Sequence, residues 1–191
     1  AKFPSSNDEL DIGAWEMVVH ELAANSGVTV ASAMLQKYTG RHHTFLTKRF
    51  DRINQTQRIH FASAMTLLGY RDGADHHEGV SYLDLAGLIQ QRGRNVNGNL
   101  KELWRRIVFN IMVKNTDDHL RNHGFLLYQD GWELSPAYDM NAVSAGTGLT
   151  LNISDNHNSL SLELAVEMAQ HFRIKPKQAL VMIDDMKKSI L

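Results

Sequence analysis

KNTDDHLRNH, residues Lys114–His123, packs two Asp, two His, two Asn and two basic residues into ten positions. It comes straight after the most strongly patterned stretch of the chain. Leu100, Leu103, Trp104, Ile107, Val108, Ile111 and Met112 recur at i, i+3, i+4, i+7, i+8, i+11 and i+12. That spacing predicts a helix with a wide buried stripe. Asn99 with Glu102 three residues on reads as a capping box at its start. A buried helix thus delivers the chain into a cluster of ionisable groups, and what that cluster is for decides the reading of the whole protein.

Three readings compete. The segment could be a solvated loop, with Lys114 complementing the helix dipole. It could be a metal cluster. His119 and His123 are four apart and would share a face if the segment were helical, with Asp117, Asp118 and His76-His77 as further ligands. That spacing lacks the glutamate of HExxH. The metal-dependent phosphohydrolases with a His-Asp pair also want the reverse of the order Asp118-His119. The third reading is a catalytic loop. Asp117 and Asn122 are five apart, the D-x-x-x-x-N separation of the kinase catalytic loop.

The sequence beyond the loop supports the third reading. FLLY (125–128) and WELS (132–135) flank Gln129-Asp130-Gly131, a strong hairpin signal. SPAYDM (135–140) follows and places Asp139 just past the hairpin, where kinases keep a metal-binding aspartate. Phosphoryl transfer needs one carboxylate to orient the substrate hydroxyl. It also needs an amide oxygen and a second carboxylate to hold Mg²⁺ against nucleotide phosphates.

Bulk properties exclude other classes. The net charge of −1 supplies no field for direct nucleic-acid binding or for an anionic membrane. No apolar run reaches the roughly 20 residues of a membrane span. The absence of cysteine removes disulfides, thiolate metal sites and cysteine nucleophiles, and fits a reducing, cytoplasmic setting. AKFPSSNDELD lacks the apolar core of a signal peptide. The opening strand pattern and the helical pattern at KKSIL read as a piece of a longer protein.

Elsewhere the patterns alternate. Ile12, Trp15, Val19 and Leu22 predict a first helix, carrying Glu16 and ending at Gly27. VTVASAMLQKY (28–38) and TFLTKRFDR (44–52) predict two strands joined through TGRHH. SAMTLLG and YLDLAGLIQQRG predict helices closed by glycine, with RDGADHHEG a loop between them. GTGLTLN reads as a loop. SLELAVEMAQHF and KQALVMIDDMKKSIL predict two last helices, the second with Pro176 in its first turn. Trp104 reads as core, Asp184-Asp185 as a solvated face, and His42-His43 and His76-His77 as loop residues. The fold class is α+β, mostly helical.

TDDHLRNHGFLL, SPAYDM, KRFDR and AKFPS together resemble the HipA-like serine/threonine kinases, the toxins of bacterial toxin–antitoxin pairs. Four segments agree in order over nearly the whole chain. The resemblance implies a protein-kinase-like large lobe with a remnant of the small lobe. Residues 1–52 would be the partial small lobe and hinge (strand, helix, hairpin). Residues 53–191 would be a mainly helical catalytic lobe with its hairpin at 125–135. It implies ATP and Mg²⁺ as cofactors. Asp117 would be the catalytic aspartate, and Asn122 and Asp139 the Mg²⁺ ligands. Lys2 would contact nucleotide phosphates, with Glu16 as its ion-pair partner. Residues 46–50 would form the hinge beside adenine, with Phe50 near the base and Lys48 where the family often has Glu. His119 would structure the loop at the nucleotide site. The family's glycine-rich phosphate loop and autophosphorylated serine lie upstream of this stretch. Implied partners are a protein substrate, an aminoacyl-tRNA synthetase in the family, and a HipB-like helix-turn-helix antitoxin. A non-catalytic docking module and the phosphohydrolase are the rival readings.

Overall fold

The apolar stripe becomes the axis on which the rest of the chain packs. A computed structural model describes residues 1–5, 7–38, 41–54, 56–143 and 145–190. In chain order the elements are α1 (Ile12–Asn25), β1 (Ala33–Gln36), β2 (Thr44–Thr47), β3 (Arg52–Ile53), β4 (Gln57–Arg58) and β5 (His60–Ser63). Then come α2 (Ala64–Leu68), α3 (Tyr82–Arg92), α4 (Val96–Val113), β6 (Gly124–Tyr128), β7 (Gly131–Leu134), α5 (Leu162–Met168) and α6 (Pro176–Ile190). Single 3-10 turns lie at His76–Glu78, Leu120–Asn122 and Ala169–Phe172.

Leu100, Leu103, Trp104, Ile107 and Val108 of α4 are fully buried, each worth about 1.5–3 kcal/mol on leaving water. α3, α5, α6 and β7 close around them. The Trp104 indole N–H donates to the carbonyl of Ala165 at 2.8 Å and so fixes where α5 docks. The start of α4 differs from the expected capping box. Its cap is Asn95, whose side chain accepts from the N–H of Gly98. Asn99 lies inside the helix, and Glu102 is buried and turned to other work. The capping box is on α3 instead, between Ser81 and Asp84.

The predicted strands are shorter than their sequence patterns. β1 and β2 pair antiparallel, with Ala33 opposite Thr47 and Gln36 opposite Thr44. Within the TGRHH connection, Thr39 and Gly40 lie outside the described residues. Lys2 adds a third rung beside β2, its N–H donating to the Phe45 carbonyl at 2.8 Å and its carbonyl accepting back at 3.1 Å. Arg52 belongs to the separate β3–β4 ladder. The hairpin appears as β6–β7, with Tyr128 opposite Gly131. β5, which the sequence reading did not anticipate, pairs with β6 from His60↔Leu127 to Ser63↔Gly124. Its four residues are too few to show a period. SLELAVEMAQHF divides into α5 and the 3-10 turn at Ala169–Phe172.

α1 lies against β1 and β2 and also touches α6. A Cβ on Gly13 would stand 2.3 Å from the carbonyl oxygen of His43, so only glycine lets the helix approach this closely. The inward face of α1 carries Glu16, Val19 and Ala23, while Ile12 and Trp15 of the expected stripe are exposed. Among the described residues no helix is long and apolar enough to cross a membrane.

Candidate active site

α4 ends at Lys114, whose left-handed backbone (φ 54°) turns the chain out of the helix. The next carboxylate to matter is Asp118. It is 4% exposed. Its Oδ2 accepts from the Tyr82 hydroxyl at 2.6 Å, the Asn110 amide at 2.7 Å and His123 Nε2 at 2.8 Å. Burial pushes this carboxyl up, but the facing His123 and the Tyr82 hydroxyl outweigh it and hold the group below the usual carboxylate range. Burial beside that charge also raises the Tyr82 phenol well above its ordinary value. Asn110 accepts in turn from the Asn115 amide at 3.0 Å. A buried carboxylate with this many donors is an anchor: it locks the segment after α4 to the face of α4 and α3.

The lock turns its neighbours outward. Asp117 is exposed. The side-chain amide of Asn122 donates to the Asp117 carbonyl at 3.2 Å, across a turn closed by the Leu120–Asn122 3-10 helix. On the other flank, the Thr150 hydroxyl donates to the Thr116 carbonyl at 2.7 Å. A Cβ on Gly146 would sit 2.0 Å from the Thr116 hydroxyl oxygen, so that flank is closely packed.

The SPAYD segment is held by a polar row on α4. Glu102, Arg106 and Asn110, four residues apart, are all buried. Arg106 donates to Glu102 at 3.1 Å and to the Ser135 carbonyl at 2.5 Å. Glu102 accepts from the Thr29 N–H at 2.9 Å, and the Thr29 carbonyl accepts from the N–H of Ala137 at 2.7 Å. Tyr138 then donates its hydroxyl to the Arg121 carbonyl at 2.6 Å, tying this segment to the loop that carries Asp117 and Asn122.

Asp139 follows in a left-handed conformation (φ 57°), which an aspartate adopts at a cost. That backbone aims its carboxylate at the Lys2 ammonium, which hydrogen-bonds to it. The same ammonium pairs with Glu16 at 2.8 Å. Burial pulls the Lys2 pKa down, yet the bonds to Asp139 and Glu16 prevail and hold it above its ordinary value. Burial raises the Glu16 carboxyl, against the pull of Lys2. A cavity of about 230 Å³ opens here, lined by Lys2, Glu16, Phe45, Thr47, Tyr138 and Asp139 among others. Outside it the Phe50 ring stands 5.7 Å from Tyr138 and 6.0 Å from Phe61.

The structure therefore brings Lys2, Glu16 and Asp139 into one group and joins Asp117 to Asn122 in another, with Tyr138 bridging the two segments. The oxygens of Asn122 and Asp139 are hard donors, a set that fits Mg²⁺ and not a soft metal. Lys48 is exposed beyond the end of β2 and is not among the residues lining the cavity. His119 faces elsewhere. Its Nε2 is 3.3 Å from the Arg121 guanidinium, and it lines a smaller cleft with Arg71, Asp72 and Thr150. His119 and His123 do not converge as a metal pair, because His123 is buried on Asp118. Sequence reasoning weighed Asp118 and His123 only as metal ligands, where the structure makes them a buried anchor, and it missed Tyr82, Arg106 and Tyr138. A signal for the α4 row was available: Glu102, Arg106 and Asn110 stand four apart, at helical spacing, beside the apolar stripe.

Known proteins bear on this geometry. The structure superposes on a HipA chain from the Shewanella oneidensis toxin–antitoxin complex of HipA, HipB and operator DNA, with TM-score 0.80 at 21% identity, covering 96% of this chain and 48% of that one. It also matches the Helicobacter pylori proinflammatory kinase CtkA, with TM-score 0.61 at 11% identity over 95% of this chain and 84% of that one. The fold is thus an α+β, protein-kinase-like one. In sequence, the chain is 28% identical over 146 residues to the serine/threonine-protein kinase toxin HipA of Shewanella oneidensis, a match covering 67% of this chain and 33% of that protein. Against these HipA proteins the chain spans between a third and a half of the relative's length. The model of the HipA-like C-terminal domain matches residues 1–191 from end to end. On that match, this chain belongs to the HipA-like C-terminal domain family.

Proposed function

We propose that this chain is the nucleotide-binding and catalytic part of a Mg²⁺- and ATP-dependent serine/threonine protein kinase. The observation that carries the reading is the Lys2 ammonium paired with Glu16 and Asp139 at the mouth of the cavity. Lys2 is placed to neutralise nucleotide phosphates, and Glu16, buried on α1, holds it in position. Phe50, Phe61 and Tyr138 offer an aromatic wall for the base. Asp117, exposed on an anchored loop, accepts the proton of an incoming hydroxyl. Asn122 and Asp139 would hold Mg²⁺, which when bound neutralises charge on the transferring phosphoryl group.

The relatives carry the proposal one step further. A protein hydroxyl is the acceptor, in the family's manner that of an aminoacyl-tRNA synthetase, and a HipB-like antitoxin is the partner of the whole protein in the cytoplasm. The fold likeness to HipA solved with HipB supports that partner.

A thermal-shift series tests the reading. Mg²⁺-ATP should raise Tm more than ATP with EDTA, and Asp139→Ala should remove the difference. A rise that persists in Asp139→Ala, or that ignores Mg²⁺, would overturn the site assignment.

A further inference from the structure

The loop between α2 and α3 carries a feature that the kinase site does not use. Asp75, His76 and His77 each present a ligand atom, and the three atoms lie within 4.8 Å of one another. We propose that these residues form a site for a borderline divalent cation of the Zn²⁺ class, separate from the Asp139 group.

The loop is built to hold its shape. Gly73 and Gly79 bracket it with positive φ, 86° and 80°. The His76 N–H donates to the Thr150 carbonyl at 2.9 Å, and the His76 carbonyl accepts from the Asn152 amide at 3.1 Å and the Gly79 N–H at 3.1 Å. One Asp75 oxygen accepts from the His77 N–H at 2.8 Å. These bonds fix the backbone of the turn that carries the three side chains, without metal.

Chemistry selects the cation. His76 Nδ1 is 3.3 Å from the Thr150 carbonyl oxygen. A carbonyl only accepts, so Nδ1 carries the proton and Nε2 carries the lone pair. That is the arrangement of a metal-ligating histidine, whose far N–H is held by a carbonyl or carboxylate. The two imidazoles face each other with centroids 4.0 Å apart. Two imidazole nitrogens and one carboxylate oxygen suit Zn²⁺ and neighbouring transition metals, whereas Mg²⁺ prefers all-oxygen shells. Zn²⁺–nitrogen bonds of about 2.0–2.1 Å put tetrahedral ligands roughly 3.3 Å apart. The exposed His77 ring closes the remaining gap by rotation, and water completes the shell. The nearby Glu78 is already paired with Arg71 at 3.2 Å.

The chain holds ten histidines, so binding alone does not locate the site. The test is a Zn²⁺ titration of the 191-residue chain by calorimetry with Mg²⁺ in excess, alongside imidazole ¹⁵N NMR. We expect saturable one-to-one binding with the His76 and His77 resonances shifted. His77→Ala removes an exposed ring. Asp75→Asn keeps the acceptor that bonds to the His77 N–H and removes only the charge. Each should weaken Zn²⁺ by at least tenfold while the metal-free Tm stays put, and Asp139→Asn should leave Zn²⁺ affinity unchanged. Absence of saturable binding, or equal affinity in wild type and both loop variants, would overturn the proposal. So would loss of binding in Asp139→Asn.

Discussion

Asp117 and Asp118 are neighbours in the chain and opposites in the fold. Asp117 faces solvent, while Asp118 is 4% exposed and takes three donors on one oxygen. The same side chain serves two purposes set by environment. A buried carboxylate is tolerable only when its donors replace water. Once it is satisfied, it fixes the position of the backbone on either side. The adjacent exposed carboxylate inherits that placement without spending its own oxygens on structure. On the proposed kinase reading, the loop is positioned by Asp118 and would act through Asp117.

Separating the two roles by mutation gives the largest effects. On the proposed kinase reading, Asp117→Ala should lower phosphoryl transfer by on the order of 10²–10⁴-fold, the usual range for losing a positioned base. Its unfolding free energy should move by less than about 0.5 kcal/mol, as for an exposed site. Asp139→Ala should behave alike in transfer. Asp118→Ala should do the reverse in kind. It leaves the Tyr82, Asn110 and His123 donors buried without an acceptor and should cost about 3 kcal/mol in denaturant unfolding. Wild-type transfer in Asp117→Ala, or an unchanged unfolding midpoint in Asp118→Ala, would break the contrast.

A smaller effect sharpens the comparison on the other side of the cleft. Glu16 is buried like Asp118, but its partner Lys2 is half exposed. Solvent screens that pair, so Glu16→Gln should weaken Mg²⁺-ATP binding by about 1 kcal/mol, roughly fivefold, after the discount for exposure. A loss as large as that of Asp139→Ala would mean that Glu16 touches the ligand directly.

The comparison also shows what a sequence can carry. α4 was legible because seven apolar residues at helical spacing leave few alternatives, and the hairpin because Asp130-Gly131 sits between two apolar runs. The grouping of Lys2, Glu16 and Asp139 followed from a resemblance, since no local pattern links residues 137 apart. Asp118 was not legible as an anchor. Nothing in TDDH distinguishes the aspartate that points in from the one that points out, because the turn after Lys114 makes the choice. The true cap at Asn95 was missed for a similar reason. Asn99 and Glu102 fit the capping pattern, but a tertiary bond from Thr29 and an i,i+4 bond from Arg106 claim Glu102.

The smallest expected effect concerns a carboxylate–imidazole hydrogen bond beneath the start of α1. Asp11 caps that helix through the N–H of Ala14 at 3.2 Å and accepts from the His43 ring at 2.6 Å and the His43 N–H at 3.0 Å. Its bond to the His43 ring, against a modest opposing push from burial, lowers its pKa from 3.8 to about 2. A carboxyl whose folded pKa is depressed contributes stability that is present above its unfolded value and is lost as pH falls toward the folded one. The contribution of Asp11 should therefore be full above about pH 4 and should fade between there and pH 2. The pair is partly exposed, so solvent screens it and its contribution stays below about 1 kcal/mol. Urea midpoints of wild type and Asp11→Asn should differ slightly at neutral pH and converge on acidification. A gap that stays constant as pH falls would show that Asp11 acts as a cap whatever its charge. The register between α1 and β2, and with it the approach of Glu16 to Lys2, would then rest on Gly13 and backbone packing.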